Sequence, residues 1–284
     1  MSDAHDTADA ASTATDTGDA SSQLAVQMYT LREFCTDASG VASCFEKVRA
    51  MGYETVQPAA AAFNTMPAEE LKTLLDDHGL KAISTHRSLE QLEDATAEID
   101  YHGILGCNYT SIGGWGFDGK ATKSGWADFA GRFNEIAKPY AGSDLRIGYH
   151  NHSHEFIPFG LGDAPETIDP EDNPITLLQE KLSDDVFFEL DTYWVAYAGA
   201  CPAAWIRRMA NRVPCLHVKD IAIGGDKQHH MVEIGAGNLH WPGILEAAKA
   251  AGVKHYIVER DHGDVDAFES LKISYENLRS MGLS

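Results

Sequence analysis

Four short apolar runs in the second half of the chain turn polar only at their C-terminal ends, where each carries residues able to bind a divalent cation. They are LRIGYHNHSHEF (Leu145–Phe156), VFFELDTYW (Val186–Trp194), VPCLHVKD (Val213–Asp220) and HYIVERD (His255–Asp261). Runs this short, apolar and β-branched read as strands buried on both faces, the pattern of a parallel sheet. When such a sheet closes into a (β/α)8 barrel, the C-terminal ends of all its strands share one face, and active sites sit there. His150, Asp191, His217 and Glu259 can therefore meet at one point although long stretches of chain separate them. That makes the chain look like an enzyme.

The rest of the sequence supplies the other units of such a barrel. LAVQMY (24–29) reads as a strand and is followed by a helix near Val41 to Met51. ETVQ (54–57) precedes a helix that starts after Pro67 and stops at Gly79. LKAISTH (80–86) leads to a helix across Leu89 to Leu105, and CNYTSIGG (107–114) to one near Gly125 to Tyr140. After LRIGYH a Pro-, Asp- and Gly-rich loop spans about 157–174, and a short helix follows near Ile175 to Leu182. Helices over CPAAWIRRMA, over WPGILEAAKAAG and from about Asp266 to Met281 complete eight strand–helix units. Regular alternation indicates a parallel sheet, and eight units in 284 residues favour closure into a TIM barrel. MYTLREF follows the first strand where an open dinucleotide-binding sheet carries glycines, and no GxxxxGK[ST] occurs.

Composition narrows the partners. With 43 acidic against 22 basic residues the formal charge is −21, which repels phosphate backbones and argues against nucleic acid. Such a surface fits a generically acidic protein or one adapted to a high-salt cytoplasm. Residues 1–22 lack Lys, Arg and any apolar block; they read as a disordered acidic tail ahead of one domain over 23–284, and not as a secretory signal. No apolar stretch is long enough to span a membrane. Cys35, Cys44, Cys107, Cys201 and Cys215 show no CxxC spacing and read as free thiols of a cytoplasmic protein.

His and carboxylates at strand ends suit Mn, Zn, Fe, Co or Mg. A shared cation also removes the cost of burying unpaired carboxylates at a barrel mouth. Around the four ends, His86 at the end of strand three, Trp194, Trp115 in SIGGWGF and Lys219 are candidate substrate contacts. Lys219 has an alternative role, pairing with Asp220 or Glu233. Glu233, in EIGAGN, reads as a loop-positioning residue.

Taken in order, VQMYTLRE, YHNHSHEF, ELDTYWVAYAG, HVKD, EIGAGNLHWPGIL and YIVERD resemble the xylose isomerase-like barrel superfamily, in its sugar phosphate isomerase/epimerase branch. The resemblance runs from Val26 to Asp261. It implies a divalent metal (Mn, Mg, Co or Zn) at the ends of strands five to eight and a small carbohydrate substrate. The reactions it implies are ketose–aldose interconversion, ketose epimerisation or, as in inosose dehydratase, loss of water. All begin with proton removal next to a carbonyl, the metal stabilising the enediolate.

Within the resemblance, the last three ligands fall on Asp191, His217 and Glu259. The first, usually Glu within a segment like ENH, falls on His150 of HNH. The epimerases use two glutamates on opposite faces of the substrate. Glu259 matches one, which leaves the opposite face to His152, His154 or Glu155, and the Y-H-x-H pattern resembles the dehydratase branch. Two further readings stand beside an isomerase. A DNA-repair endonuclease of the same superfamily is opposed by the charge and by missing ligands. A non-catalytic sugar-binding barrel is opposed by the retained Asp191, His217 and Glu259. Oligomeric state is open, a homo-oligomer included.

Overall fold

The computed structural model describes residues 22–118, 121–161 and 169–284. All but the last residue of the expected tail, and residues 162–168 of the expected loop, lie outside them.

Strands β1 (Leu24–Gln27), β2 (Thr55–Gln57), β3 (Lys81–Ala82), β4 (Thr85–His86), β5 (Tyr109–Ile112), β6 (Arg146–His150), β7 (Phe187–Asp191), β8 (Cys215–Val218) and β11 (His255–Val258) form one parallel sheet. A hairpin of β9 (Asp220–Ile223) and β10 (His229–Val232) stands apart from it, inserted after β8. The third expected strand is broken in two. β3 pairs with β2 and β4 pairs with β5, while the Ile83 amide donates to Val56 and the Arg87 amide to Ser111, so the 81–87 segment bridges both neighbours and completes the ring. The eightfold barrel expected from the alternation is the fold.

Helices cover the outside: α1 (Ala38–Ala50), α3 (Ala68–Asp77), α5 (Ala95–Leu105), α6 (Lys123–Ala137), α7 (Pro174–Lys181), α9 (Pro202–Arg208), α10 (Trp241–Ala251) and α11 (Ala267–Ser280), with short turns α2 (Ala61–Thr65), α4 (Leu89–Leu92) and α8 (Thr192–Tyr197). Local chemistry sets several of their ends. Asp37, Thr122 and Asn173 accept amide hydrogens at N-termini, Ser88 and Gln91 make a capping box, and Gly106 and Gly252 end helices with left-handed backbone.

Period-2 alternation sorts the strand residues. One set (Val26, Val56, Ile147, Phe188, Leu190, Leu216, Val218, Val258) joins the large core between sheet and helices. The other points into the barrel, where Ala25, Ile83, Phe187, Cys215 and Ile257 fill a small apolar layer. Gly148 stands opposite Phe187 in the register, and any Cβ there would lie 2.5 Å from the ring, so glycine makes the room that Phe187 occupies.

Among the described residues no helix is long and apolar enough to cross a membrane. The five cysteines are free thiols; Cys201 is exposed and the other four are buried.

Candidate metal centre at the barrel mouth

Two residues above the apolar layer, the inward positions turn polar all round the barrel. Gln27, Gln57, Ser84, Ser111, His150, Glu189, His217 and Glu259 supply them, one from each of the eight barrel strands or their ends, and all are buried. The register sets His150 beside Glu189 and Asp191 beside His217. The result is convergence of the four expected residues. Ligand atoms of His150, Asp191, His217 and Glu259 all lie within 4.8 Å of one another.

The contacts within this cluster are short. His217 Nδ1 is 2.8 Å from Glu259 Oε2, and His150 Nε2 is 3.4 Å from Asp191 Oδ2. Lys219, only 2% exposed, places its ammonium 2.7 Å from Glu259 Oε2, 3.0 Å from Asp191 Oδ2 and 3.0 Å from Asp261 Oδ2. Asp191 Oδ1 accepts the amides of Tyr193 and Trp194, which anchors α8 on the strand end.

The electrostatics follow from these neighbours. Burial works against charge on His217, but Glu189 and Glu259 overcome it and hold the ring up at about 10. Burial likewise opposes ionisation of Glu259, yet Lys219 and His217 keep it well below the usual carboxylate range. Asp191 is lowered against its burial, chiefly by Lys219 and His150. Burial, with His217 beside it, depresses His150 to about 4. Burial, with His150 and Lys219 nearby, depresses His152 to about 2, so its ring is neutral. Asp261 is pushed up to about 7 by burial and by the Glu259 and Asp191 charges.

Above the cluster lies a cavity of about 520 Å³. His86, His150, His152, Lys219, Glu259 and Asp261 form its depths, and Tyr29, Arg32 and Phe117 stand among its walls. Four of the polar atoms there have no hydrogen-bond partner although they are buried: both ring nitrogens of His150, Nδ1 of His152 and Oδ2 of Asp191. Lys219 is within ion-pair distance of that Asp191 oxygen without a hydrogen bond's geometry. Unpartnered imidazole and carboxylate atoms of His150 and Asp191, beside His217 and Glu259 from two further strands, fit a divalent cation.

The other expected site residues divide. His86 reaches the cavity, and Lys219 forms ion pairs with Asp191, Glu259 and Asp261 instead of the suggested Asp220 or Glu233. Asp220 is taken up by the amides of Gly235, Gly237 and Leu239 and by the Trp241 indole. Glu233 pairs with Arg260, which fixes its loop as expected. Trp194 lies beside the cluster, its ring 5.3 Å from His152 and 5.7 Å from the Lys219 ammonium.

Two expectations need correction. Glu155 does not reach the cavity: it is fully buried, accepting from the Tyr149 hydroxyl at 2.8 Å and the His152 amide at 2.9 Å. Trp115 stacks on Phe129 at 4.7 Å and packs edge-on against Trp126, so it braces the loop from behind. His154 also turns away, its Nε2 meeting the Trp115 carbonyl.

Residues that the strand-end reading passed over are Gln57, Ser111, Glu189 and Asp261. Each had a signal in the alternation, since each shares inward parity with a neighbour already singled out or with the apolar layer below.

A family model described as xylose isomerase-like TIM barrel matches residues 45–281. The chain belongs to the xylose isomerase-like TIM barrel family. Among curated proteins it is 26% identical over 182 residues to inosose dehydratase of Clostridium tetani, covering 61% of this chain and 53% of that one. It is also 25% identical over 124 residues to inosose dehydratase of Clostridium beijerinckii, covering 42% and 38%. The matches thus span about half or less of those relatives' length. Among solved structures it resembles a sugar phosphate isomerase/epimerase of Parabacteroides distasonis (TM-score 0.75, 21% identity, 95% of this chain and 97% of that one). It also resembles a D-allulose 3-epimerase of Methylomonas sp. (TM-score 0.66, 15% identity, 92% and 98%). At such identities the structural likeness speaks for the fold alone.

Proposed function

We propose that the chain is a divalent-metal-dependent sugar isomerase or epimerase that removes a proton next to a carbonyl. The observation that carries this reading is the convergence of His150, Asp191, His217 and Glu259 within 4.8 Å at the base of the cavity. These four would hold the cation, and when bound it supplies Lewis-acid polarisation of a carbonyl and its neighbouring hydroxyl.

The chain's own groups do the rest. Glu259 is kept as the carboxylate, the form able to accept the proton. Lys219 balances Asp191, Glu259 and Asp261 and fixes where their oxygens point. Neutral His152 lines the cavity with an unpartnered Nδ1 and is the candidate for proton transfer at a second position. His86 and the aromatic walls Tyr29 and Phe117 position the sugar and keep water out. Glu155 acts behind His152, holding its backbone amide.

A second reading, loss of water as in inosose dehydratase, is favoured by one observation. The first ligand position holds His150, so the cluster carries a single glutamate, Glu259, and proton removal has one carboxylate base. The relatives matched by sequence, inosose dehydratases, agree with it.

The test is elemental analysis of the purified chain before and after chelation, beside Asp191→Ala, followed by assays on ketoses and inososes. One metal per chain, lost in Asp191→Ala, supports the site; no metal under any loading condition overturns it. Glu259→Gln lowers turnover by about 10²–10⁴-fold while the fold persists. A product of unchanged mass supports isomerisation, and one lighter by a water supports the dehydratase reading.

A further inference from the structure

Directly beneath the cluster lies a buried carboxylate that the proposed chemistry does not use. Glu189 is fully buried, sits two residues before Asp191 on β7 and does not reach the cavity. Its oxygens are nonetheless saturated. Oε1 accepts from Gln57 Nε2 at 2.6 Å, and Oε2 accepts from His86 Nε2 at 2.6 Å and from Ser111 Oγ at 2.7 Å. His217 Nε2 is 3.4 Å from Oε2 and 2.7 Å from Gln57 Oε1. Gln27 Nε2 donates to that same Gln57 oxygen at 2.7 Å, which turns the Gln57 amide so that its nitrogen faces Glu189. Two histidines thus share one anchor, directly or through Gln57. Their rings are parallel to within 8°, with centroids 5.4 Å apart.

We infer that Glu189 is a positioning residue that decides which nitrogen each of these histidines presents upward. With the Nε2–H of His217 turned to Gln57 and Glu189, Nδ1 is the nitrogen that faces Glu259 and Asp191; its proton lies in the hydrogen bond to Glu259, and loss of that proton frees Nδ1 as a ligand. With His86 Nε2 on Glu189, its Nδ1 faces Gly113 at the cavity wall, where a Cβ would lie 3.6 Å away. A carboxylate bonded to the far nitrogen of a metal-bound imidazole fixes ring orientation and raises ligand basicity. Glu189 serves the metal ligand His217 and the cavity residue His86 in one stroke, and so ties the geometry of the metal cluster to the third strand.

The rival role is that of a ligand, because His86, Glu189 and His217 themselves bring donor atoms within 4.8 Å of one another. The hydrogen bonds favour positioning. A cation among these three would displace the close donors Gln57 and Ser111, leaving the buried Ser111 hydroxyl without its partner and the Gln57 amide nitrogen with Ser84 alone, at a desolvation cost.

The inference rests on the metal reading, and the experiment separates the two. Mn²⁺ binding to the full chain and to Glu189→Gln is measured by calorimetry, with Co²⁺ visible absorption as the probe of ligand geometry. The expected result is one metal per chain in both, with affinity about 10- to 100-fold weaker in Glu189→Gln and an altered Co²⁺ spectrum. An unchanged affinity and spectrum overturn the positioning role while leaving the metal site standing. Two metals in the wild type and one in Glu189→Gln overturn it in favour of a ligand role. No metal in the wild type overturns both. If Glu189→Gln fails to fold, Ser111→Ala, which takes one donor from Glu189 and keeps the charge, is expected to weaken Mn²⁺ binding several-fold; unchanged binding there refutes the inference.

Discussion

Replacing Lys219 by Met separates the two jobs that its charge performs. The methionine stem retains most of the buried volume, so the change is mainly the loss of one positive charge. That charge sits 2.7, 3.0 and 3.0 Å from oxygens of Glu259, Asp191 and Asp261. At an effective dielectric of about 20, each contact carries roughly 5–6 kcal/mol of gross attraction. The net cost of breaking a buried ion pair is smaller, about 3–5 kcal/mol, because the lysine's own desolvation is recovered. For a chain of this length, at about 2 °C per kcal/mol, the melting temperature in chelator falls by roughly 6–10 °C. The second effect has the opposite sign. A cation bound by Asp191 and Glu259 no longer competes with an ammonium on the same oxygens, so Lys219→Met binds Mn²⁺ more tightly and gains more in melting temperature on saturation than the wild type does. Thermal melts with chelator and with excess Mn²⁺ read both. An unchanged melting temperature in chelator, or a metal-induced rise no larger than the wild type's, refutes the reasoning.

Two further predictions concern the scaffold. Gly148→Ala forces a methyl to within 2.5 Å of the Phe187 ring inside a closed barrel, and overpacking of this kind costs about 1–3 kcal/mol. Adding Phe187→Leu recovers part of the loss in urea unfolding; simple additivity of the two changes refutes the steric account. His102, fully buried, bonds Thr85 and the Glu98 carbonyl, and burial lowers it to about 4. Its folded-state pKa lies below the unfolded value near 6.5, so the unfolded chain takes up the proton first as pH falls. Stability is complete above about pH 6.5 and loses about 3 kcal/mol towards pH 4 from this residue alone. In His102→Gln the loss of stability between pH 7 and pH 4.5 is smaller; an equal loss refutes the assignment.

The barrel was legible because its outward and inward strand faces are both apolar over most of their length, which leaves short continuous runs between amphipathic helices. The four clustered residues of the candidate site were legible for a related reason. On β6, β8 and β11 a side chain able to bind a cation stands at the last inward position or just beyond it, and on β7 the last two inward positions, Glu189 and Asp191, are both carboxylates. The break between β3 and β4 was not legible. LKAISTH has the composition of one strand, and its division arises because 81–82 pair with one neighbour and 85–86 with the other. Trp115 and Glu155 were misjudged because they lie within three residues of cavity residues, Gly113 and Phe117 for the one and His152 for the other. Loops put adjacent side chains on opposite sides, and Trp115 turned towards Phe129 as Glu155 turned towards Tyr149.

The polar layer under the cluster shows where reading strand ends one by one falls short. Gln27, Gln57 and Ser111 belong to short strands whose ends carry no carboxylate and draw no attention. Their meaning lies in the partners, which come from strands far away in sequence: Gln57 bridges Glu189 and His217, and Ser111 bonds Glu189. Such a network is stable only when every member is satisfied, since a buried polar group left unpaired costs more than an apolar one of the same shape. The inward positions of five strands are therefore chosen jointly. A glutamine at 57 is unremarkable beside its sequence neighbours and becomes necessary only once Glu189 and His217 are placed across the barrel from it. The same holds for Lys219, whose three carboxylate partners belong to β7 and to the segment after β11. What single strands disclose is a candidate site; what holds its side chains in place is written across the barrel, in pairs that only closure brings together.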